Sequence, residues 1–155
     1  MENKARRVFN QFVNMLNERD WKFDHDEERM VIQSGISTDD FPVEFFIIVD
    51  GEHSVVRFLS KLPFKVPEDK LMEVALAVCG INNYLIDGNF DFDLNDGSLL
   101  FRMTASFIGE TELCDDALER LILTSASTVD EYNDKLFMII KNMLSIDDFL
   151  ASLAE

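Results

Sequence analysis

Few residues of this chain have the types and spacing that catalysis or metal binding requires. The sequence holds two histidines, His25 in an acidic Asp-His-Asp segment and His53 in a turn-like segment. Neither has a second histidine or a cysteine at the short spacing that zinc sites use. We interpret both as exposed loop histidines, and the sequence predicts no metal site.

The two cysteines, Cys79 and Cys114, are the remaining candidates for a strong nucleophile. Cys114 precedes Asp115 and Asp116, and negative charge beside a sulfur disfavours the reactive thiolate. The chain has no G-x-S-x-G motif and no glycine-rich loop that could hold a phosphate. We therefore predict no catalytic residues, no enzyme activity and no cofactor. Both cysteines have apolar helical surroundings, so we expect buried free thiols, as in a reducing compartment.

One segment, residues 91–97 (DFDLNDG), is similar to the start of a calcium-binding loop. Its glycine stands at the seventh position instead of the sixth, and Arg102 occupies the twelfth position, where such loops place a bidentate glutamate. The apolar residues between the acids follow the alternation of a β-strand. We interpret these acids as the solvated face of a strand, with Asp91 and Asp93 available to pair with Arg102 across a hairpin.

The strongest signal in the composition is negative charge. Thirty acidic residues against 14 basic ones give a net charge of −16, and the only basic pair is Arg6-Arg7. Such a chain repels phosphate backbones, which excludes nucleic acid as a primary partner. The charge is compatible either with solubility alone or with attraction to a basic or aggregation-prone polypeptide.

The hydropathy pattern excludes a membrane protein. No segment approaches the ~18 uninterrupted apolar residues of a membrane-spanning helix. The first residues, MENKARR, are not followed by the apolar stretch of a secretory signal. We therefore expect a cytoplasmic protein.

Length and composition indicate one domain. A chain of 155 residues can bury roughly 70% of the surface that its unfolded form exposes. Hydrophobic residues make up 47% of the sequence, and 14 of them are phenylalanine. Without a repeat or a flexible linker, the sequence predicts a single domain over residues 1–155.

The periodicity of the first hundred residues predicts a helix followed by two hairpins around a second helix. Residues 3–19 carry apolar side chains at helical spacing, and short strands are expected at about 30–36, 43–49 and 54–62. Asp50-Gly51 and Asp96-Gly97 are strong hairpin-turn signals, and the second lies within an alternating segment at 90–108. Pro67 opens the helix between the hairpins.

The sequence predicts helices in the C-terminal region. The apolar spacing predicts a long helix from about 112 to 143, either continuous or broken at 125–128, where Thr128 and Glu131 form a capping-box pattern. A short last helix would begin after Ser145. The predicted fold class is α+β, in the order α-β-β-β-α-β-β-α, with five antiparallel strands and the helices mainly on one face.

The second helix is apolar almost all the way round between Leu71 and Ile81. A helix with only one buried face should show a polar stripe, so this helix must bury two faces. Either it lies between layers of its own chain or its second face meets another subunit. For the second alternative, a homodimer, the predicted interface residues are Leu71, Val74, Ala75, Val78 and Cys79.

Residues 82–107 (NNYLIDGNFDFDLNDGSLLFRMTASF) resemble the YbjN family of bacterial sensory transduction regulators. The matching features are Asn82-Asn83 late in the helix, Gly88-Asn89-Phe90 opening a strand, the acidic Asp-Gly turn and the Phe101-Arg102 start of the return strand. The order of elements also resembles that of type III secretion chaperones. The resemblance implies an α+β fold in which small acidic subunits pair as homodimers. In the secretion chaperones, such dimers hold extended segments of a client protein.

Three functions remain at this stage. The first is a non-enzymatic binding module, a dimeric chaperone-like or regulatory protein that binds a polypeptide. The second is a small-ligand or divalent-metal-binding protein, or an enzyme, that uses surface carboxylates, which would have to converge in one pocket. The third is a structural subunit of a larger assembly. The first function, the binding module, is favoured by the absence of catalytic and metal-binding motifs, by the apolar second helix and by the family resemblance.

Overall fold

The computed structural model describes residues 3–155. The helices are α1 (Lys4–Glu18), α2 (Leu71–Tyr84), α3 (Asp115–Ile140) and α4 (Ile146–Leu153), and a 3-10 turn over Glu68–Lys70 leads into α2. The strands are β1 (Phe23–Asp26), β2 (Val31–Ile36), β3 (Val43–Asp50), β4 (Val55–Lys65), β5 (Asn89–Phe92) and β6 (Ser98–Ser106).

The six strands form one antiparallel sheet in the order β1-β2-β3-β4-β6-β5. The predicted α+β class and both Asp-Gly hairpins are confirmed, and the predicted order of elements holds once one further strand, β1, is added after α1. The predicted number of five strands is too low by one, because the acidic segment around His25, which the sequence predicts as a loop, forms β1. Its sequence, FDHD, holds a single large apolar residue, and it is a strand because it pairs with β2 from Phe23↔Ser34 to Asp26↔Val31.

The two faces of the sheet differ in burial because side chains alternate along each strand. On β3, residues 43, 45, 47 and 49 are buried while residues 44 and 46 are exposed. Strands β4 and β6 repeat this pattern in register. The buried face carries a row of aromatic contacts, with Phe45 stacked on Phe58 and Phe58 edge-on to Phe101. Helices α1, α2 and α3 cover this face. We call the opposite side of the sheet the open face.

Helix α1 shows the amphipathic pattern that the sequence predicts. Asn3 caps its start by accepting a hydrogen bond from the backbone N–H of Arg6 at 3.2 Å. Its apolar stripe packs into the core between the sheet and α3, and the buried residues are Ala5, Val8, Phe9, Phe12, Met15 and Leu16.

Helix α3 is continuous, which decides between the two alternatives for the C-terminal region. The Thr128 hydroxyl donates to the carbonyl of Thr124 at 2.8 Å, one turn back in the same helix. It therefore does not cap a new helix start. The separate helix α4 begins where predicted, and Ser145 caps it by accepting from the N–H of Asp148 at 3.1 Å.

The turn between β5 and β6 requires glycine at position 97. Gly97 has φ +72°, and a Cβ atom there would collide with the backbone carbonyl of Val66. The close approach is used, since the Val66 N–H donates to the Gly97 carbonyl at 2.8 Å. This contact ties the hairpin to the chain segment that enters α2.

Candidate functional site

The ionisable groups of the β3–β4 turn form a small network without a nucleophile. His53 Nδ1 and an Arg57 guanidinium nitrogen each lie 2.9 Å from the same Asp50 carboxylate oxygen. Hydrogen bonds from the backbone and side chain of His53, and then the nearby charges, hold the pKa of Asp50 below its usual value. His53 is exposed, as predicted, and the network closes a hairpin turn.

The acids of residues 91–97 also have local structural partners. Arg102 lies 3.2 Å from Asp91 across the hairpin, so that predicted pair forms. Asp93 instead accepts hydrogen bonds from the backbone and side chain of Asn95. Bonds from Ser98 and the proximity of Lys65 lower the pKa of Asp96. Over residues 3–155, no group of three or more His, Cys, Asp or Glu side chains is arranged to hold a metal ion.

The prediction that both thiols are buried was wrong. Cys79 and Cys114 are free and exposed. Cys79 lies on the outer side of α2, opposite Val74 and Ile81, and Cys114 precedes the first turn of α3 as its N-cap residue. Val78, the apolar neighbour of Cys79, is buried, and the helical turn places Cys79 on a different side of α2; Leu113, the apolar neighbour of Cys114, is only half-buried.

Helix α2 is packed on two sides within its own chain. One side lies against β5 and α3, and a second side lies against α4. The contact with α4 is close at Gly80, where an added Cβ would lie 2.7 Å from Leu150. The two buried sides correspond to the first alternative predicted for this helix, a position between layers of its own chain.

A third side of α2 is apolar and uncovered within the chain. Met72 is 73% exposed, Leu76 is 52% exposed and Cys79 is also exposed. These residues stand at positions i, i+4 and i+7, so they share one helix face. We call this set, Met72, Leu76 and Cys79, the α2 stripe. Apolar exposure continues at both ends of the helix, through Leu94 and Tyr84.

The five residues predicted for a dimer interface divide between two environments. Val74 and Val78 are buried in the core of the chain, at 0% and 7% exposure. Leu71 and Ala75 are half-buried at the border of the α2 stripe, and Cys79 belongs to it. Sequence reasoning missed Met72 and Leu76 as surface residues, although their spacing with Cys79 was the available signal.

One side chain occupies the backbone of the β5 edge at Phe90. The Asn82 amide accepts from the Phe90 N–H at 2.8 Å and donates to the Phe90 carbonyl at 3.0 Å. The amide thereby occupies both outward backbone groups of Phe90, which an added strand would need. The sequence analysis noted the Asn82-Asn83 pair as part of the family resemblance. It did not predict the contact with Phe90, which lies eight residues further along the chain.

The opposite edge, β1, is short and charged. Asp24, His25 and Asp26 are exposed, and the Glu27-Glu28 turn follows them. His25 lies 3.6 Å from the Glu27 carboxylate and its ring is near Phe9 and Phe23. A short edge with several like charges resists unwanted strand pairing.

The helices and the sheet define the structural class. The open antiparallel sheet, with the helices packed on one side of it, has the α+β fold of the type III secretion chaperones. Within residues 3–155, no helix is long and apolar enough to cross a bilayer.

The family follows from a match over most of the chain. The model of the YbjN family, described as "Putative bacterial sensory transduction regulator", matches residues 10–138. The chain belongs to this family. Among curated proteins, none matches it.

Solved structures share the fold at low sequence identity. YbjN from E. coli, described as "a putative transcription regulator", is 13% identical, with a TM-score of 0.61 over 81% of this chain and 91% of that one. A chain of the ExsC–ExsE complex is 11% identical, with a TM-score of 0.63 over 87% and 97%. A chain of the HopA1–SchA chaperone–effector complex is 10% identical, with a TM-score of 0.57 over 86% and 98%. The resemblance stated from residues 82–107 is confirmed.

Proposed function

We propose that this protein is a non-enzymatic binding module: a cytoplasmic homodimer that binds a polypeptide partner in a chaperone-like or regulatory role. Residues 1–155 act in it as one domain, which is supported by the single sheet and the one core cluster that it shares with all four helices. The observation that carries the proposal is the α2 stripe, an exposed apolar surface on a helix already buried on two sides.

The α2 stripe favours a second subunit as its cover. Exposed apolar side chains in a row on one helix cost free energy in water, and a symmetric pairing removes two such rows at once. A stable interface typically buries about 800 Å² on each partner. Leu71 and Leu94 line one groove beside the stripe and extend its apolar surface.

The interface residues proposed from the sequence take two roles in this arrangement. Leu71, Ala75 and Cys79 contact the second subunit together with Met72 and Leu76. Val74 and Val78 hold α2 on its own sheet and set the position of the stripe. The small side chain of Ala75 lets the two helices approach closely.

A role in binding a polypeptide is supported by the fold and by the chemistry of the surface. Two of the solved structures with this fold are complexes between two proteins, and one of them is described as a chaperone–effector complex. In the described part of this chain, the two carboxyl groups with a lowered pKa, Asp50 and Asp96, owe it first to hydrogen bonds within hairpin turns.

The native Cys79 provides a test of the pairing. A disulfide requires Cα atoms within about 7 Å, so it forms only where two cysteines face each other closely. Mild oxidation of the purified protein should give a covalent dimer on a non-reducing gel, and light scattering of the reduced protein should give twice the 17.9 kDa chain mass.

Cys114 supplies the matched control, because it is equally free and exposed but lies at the start of α3. The Cys79→Ser variant should lose the covalent dimer, and the Cys114→Ser variant should keep it. A monomer by light scattering at micromolar concentration would contradict the dimer. A covalent dimer that depends on Cys114 alone would move the interface away from α2.

A further inference from the structure

Helix α4 is attached to the rest of the chain by one apolar face. Its apolar side chains stand at positions i, i+3, i+4 and i+7, so they lie on the same side of the helix. They are Ile146, Phe149, Leu150 and Leu153. This face packs mainly against α2, with Phe149 at 1% exposure and the other three half-buried. Ligand helices that bind in a hydrophobic groove of another protein use the same spacing of apolar residues.

The surface of α2 that receives α4 is fitted to it at Gly80. A Cβ atom added at Gly80 would lie 2.7 Å from a methyl carbon of Leu150 and 3.0 Å from one of Leu153. Only proline is less favourable than glycine in the interior of a helix, and the close contact with α4 accounts for a glycine at this position. The receiving surface is therefore shaped for the side chains of a second helix.

Helix α4 leaves part of this surface uncovered. A space of about 320 Å³ remains beside Phe149, and it is lined by Tyr84 of α2 and by Tyr132 and Lys135 of α3. Tyr84 is 53% exposed. We call the surface formed by Gly80, Tyr84, Tyr132 and Lys135 the α4 groove. A longer helix than α4, or one with larger side chains, would cover more of it.

The ends of α3 and α4 make their hydrogen bonds independently of the contact between α4 and α2. At the end of α3, Asn142 has φ +57° and the Met143 N–H donates to the carbonyl of Met138 at 2.9 Å, as in a common helix ending. Helix α4 begins with its own Ser145 cap. The family match ends at residue 138, so α4 lies beyond the matched segment. Movement of α4 away from α2 therefore leaves both helix ends capped.

We propose, on the basis of the polypeptide-binding function, that α4 is an intramolecular ligand and that the α4 groove binds an amphipathic helix of the partner in its place. The partner helix carries large apolar residues at i, i+3, i+4 and i+7, with an aromatic residue at i+3. This pattern is that of α4, the occupant that the groove fits. In the free protein, α4 shields the apolar groove from water and from other chains.

The linker over residues 141–145 sets the strength of this competition. A short flexible linker holds a tethered ligand at an effective concentration in the millimolar range. Against this, a helix as short as α4 is marginally stable by itself, so a longer partner helix has the advantage. The α4 groove and the α2 stripe lie on different sides of α2. Each subunit of a dimer can therefore bind one partner helix.

A synthetic peptide with the sequence of α4 tests the proposal in the full-length chain. The peptide spans residues 144–155 with Ala151→Lys, a change at an exposed position that distinguishes its mass from the protein's own segment. The Phe149→Ala protein keeps the groove but weakens its own α4. It should bind the peptide at least about tenfold more tightly than the unaltered protein, measured by fluorescence anisotropy. Equal affinities, or binding to neither folded protein, overturn the proposal.

The matched control is the same peptide with Phe149→Ala, which lacks the aromatic anchor. It should bind at least about tenfold more weakly than the peptide that keeps Phe149. Equal binding of the two peptides overturns the proposal, because the contact would then not be the one that α4 makes.

Hydrogen exchange on the unaltered protein gives a test that does not depend on the folding of a variant. At about 1 mM peptide, which is comparable with the effective concentration of α4, exchange in residues 146–153 should rise at least about twofold. Exchange in α2 should not rise, since the peptide covers the same groove. Unchanged exchange in residues 146–153 means that α4 is not displaced, and the proposal fails.

A substitution at Gly80 locates the site. Leucine is a better helix former than glycine, so Gly80→Leu keeps α2 helical while its side chain fills the place of Leu150. Gly80→Leu/Phe149→Ala should bind the peptide at least about tenfold more weakly than Phe149→Ala alone. Unchanged affinity would place the peptide on another surface and overturn the proposal.

These outcomes are separable from failure of the proposed function. A polypeptide partner that is captured by the protein and bound equally by Gly80→Leu would leave the binding function in place and overturn the α4 groove as its site. The function itself fails only if no polypeptide is bound by any surface.

Discussion

Replacing Leu76 with glutamate should convert the dimer into a folded monomer. Leu76 is 52% exposed in the single chain, so the carboxylate remains in water there and the fold is kept. In the dimer the same carboxylate would be buried against an apolar helix without a partner, which costs several kcal/mol. We expect the dissociation constant to rise at least about 100-fold, measured by light scattering across a dilution series.

Leu123→Glu is the matched control, because Leu123 is 48% exposed on α3 and lies outside the α2 stripe. It should remain a dimer. Val78→Glu should instead unfold the chain, because Val78 is 7% exposed and the charge would enter the core. If Leu76→Glu stays dimeric while folded, the α2 stripe is not the interface.

The Asn82→Ala variant should lose about 2–4 kcal/mol of unfolding free energy, because it leaves two backbone groups of Phe90 without partners. Asn82 bonds both the N–H and the carbonyl of Phe90, which is itself 2% exposed. Chemical denaturation monitored by circular dichroism measures the loss. The exposed β5 edge should also make the variant more prone to aggregate.

Asn83 is the matched control because it is the same residue type one position along and is exposed. Asn83→Ala should change the unfolding free energy by less than about 0.5 kcal/mol. Equal effects of the two substitutions would show that the loss comes from helix α2 and not from the edge contact.

The sequence predicted best those elements whose conformation is determined by residues that are close together in the chain. The two Asp-Gly turns and the alternation of β6 depend on neighbouring residues, and both hairpins form as predicted. Strand β1 has no such local signal. It contains one apolar residue in four, and only its pairing with β2 makes it a strand. Its position at the edge of the sheet could not be read from the chain itself.

The candidate surfaces depended on contacts that are distant in the sequence. The apolar character of α2 correctly predicted two buried faces, but the sequence could not tell which residues α4 would cover. Gly80 turned out to face α4, and Leu76 turned out to face outward. The same limit explains the wrong prediction for Cys79, since the burial of a helical residue depends on which neighbours the helix meets.

Capture of a polypeptide partner on the immobilised protein tests the central claim most directly. The protein is exposed to an extract of its native cell, and mass spectrometry quantifies bound polypeptides against an unrelated protein of similar net charge. We predict that one or a few polypeptides are enriched and that each, purified, forms a complex with the protein whose mass is the sum of its parts. If no polypeptide is enriched over the control, the protein does not act by binding a polypeptide.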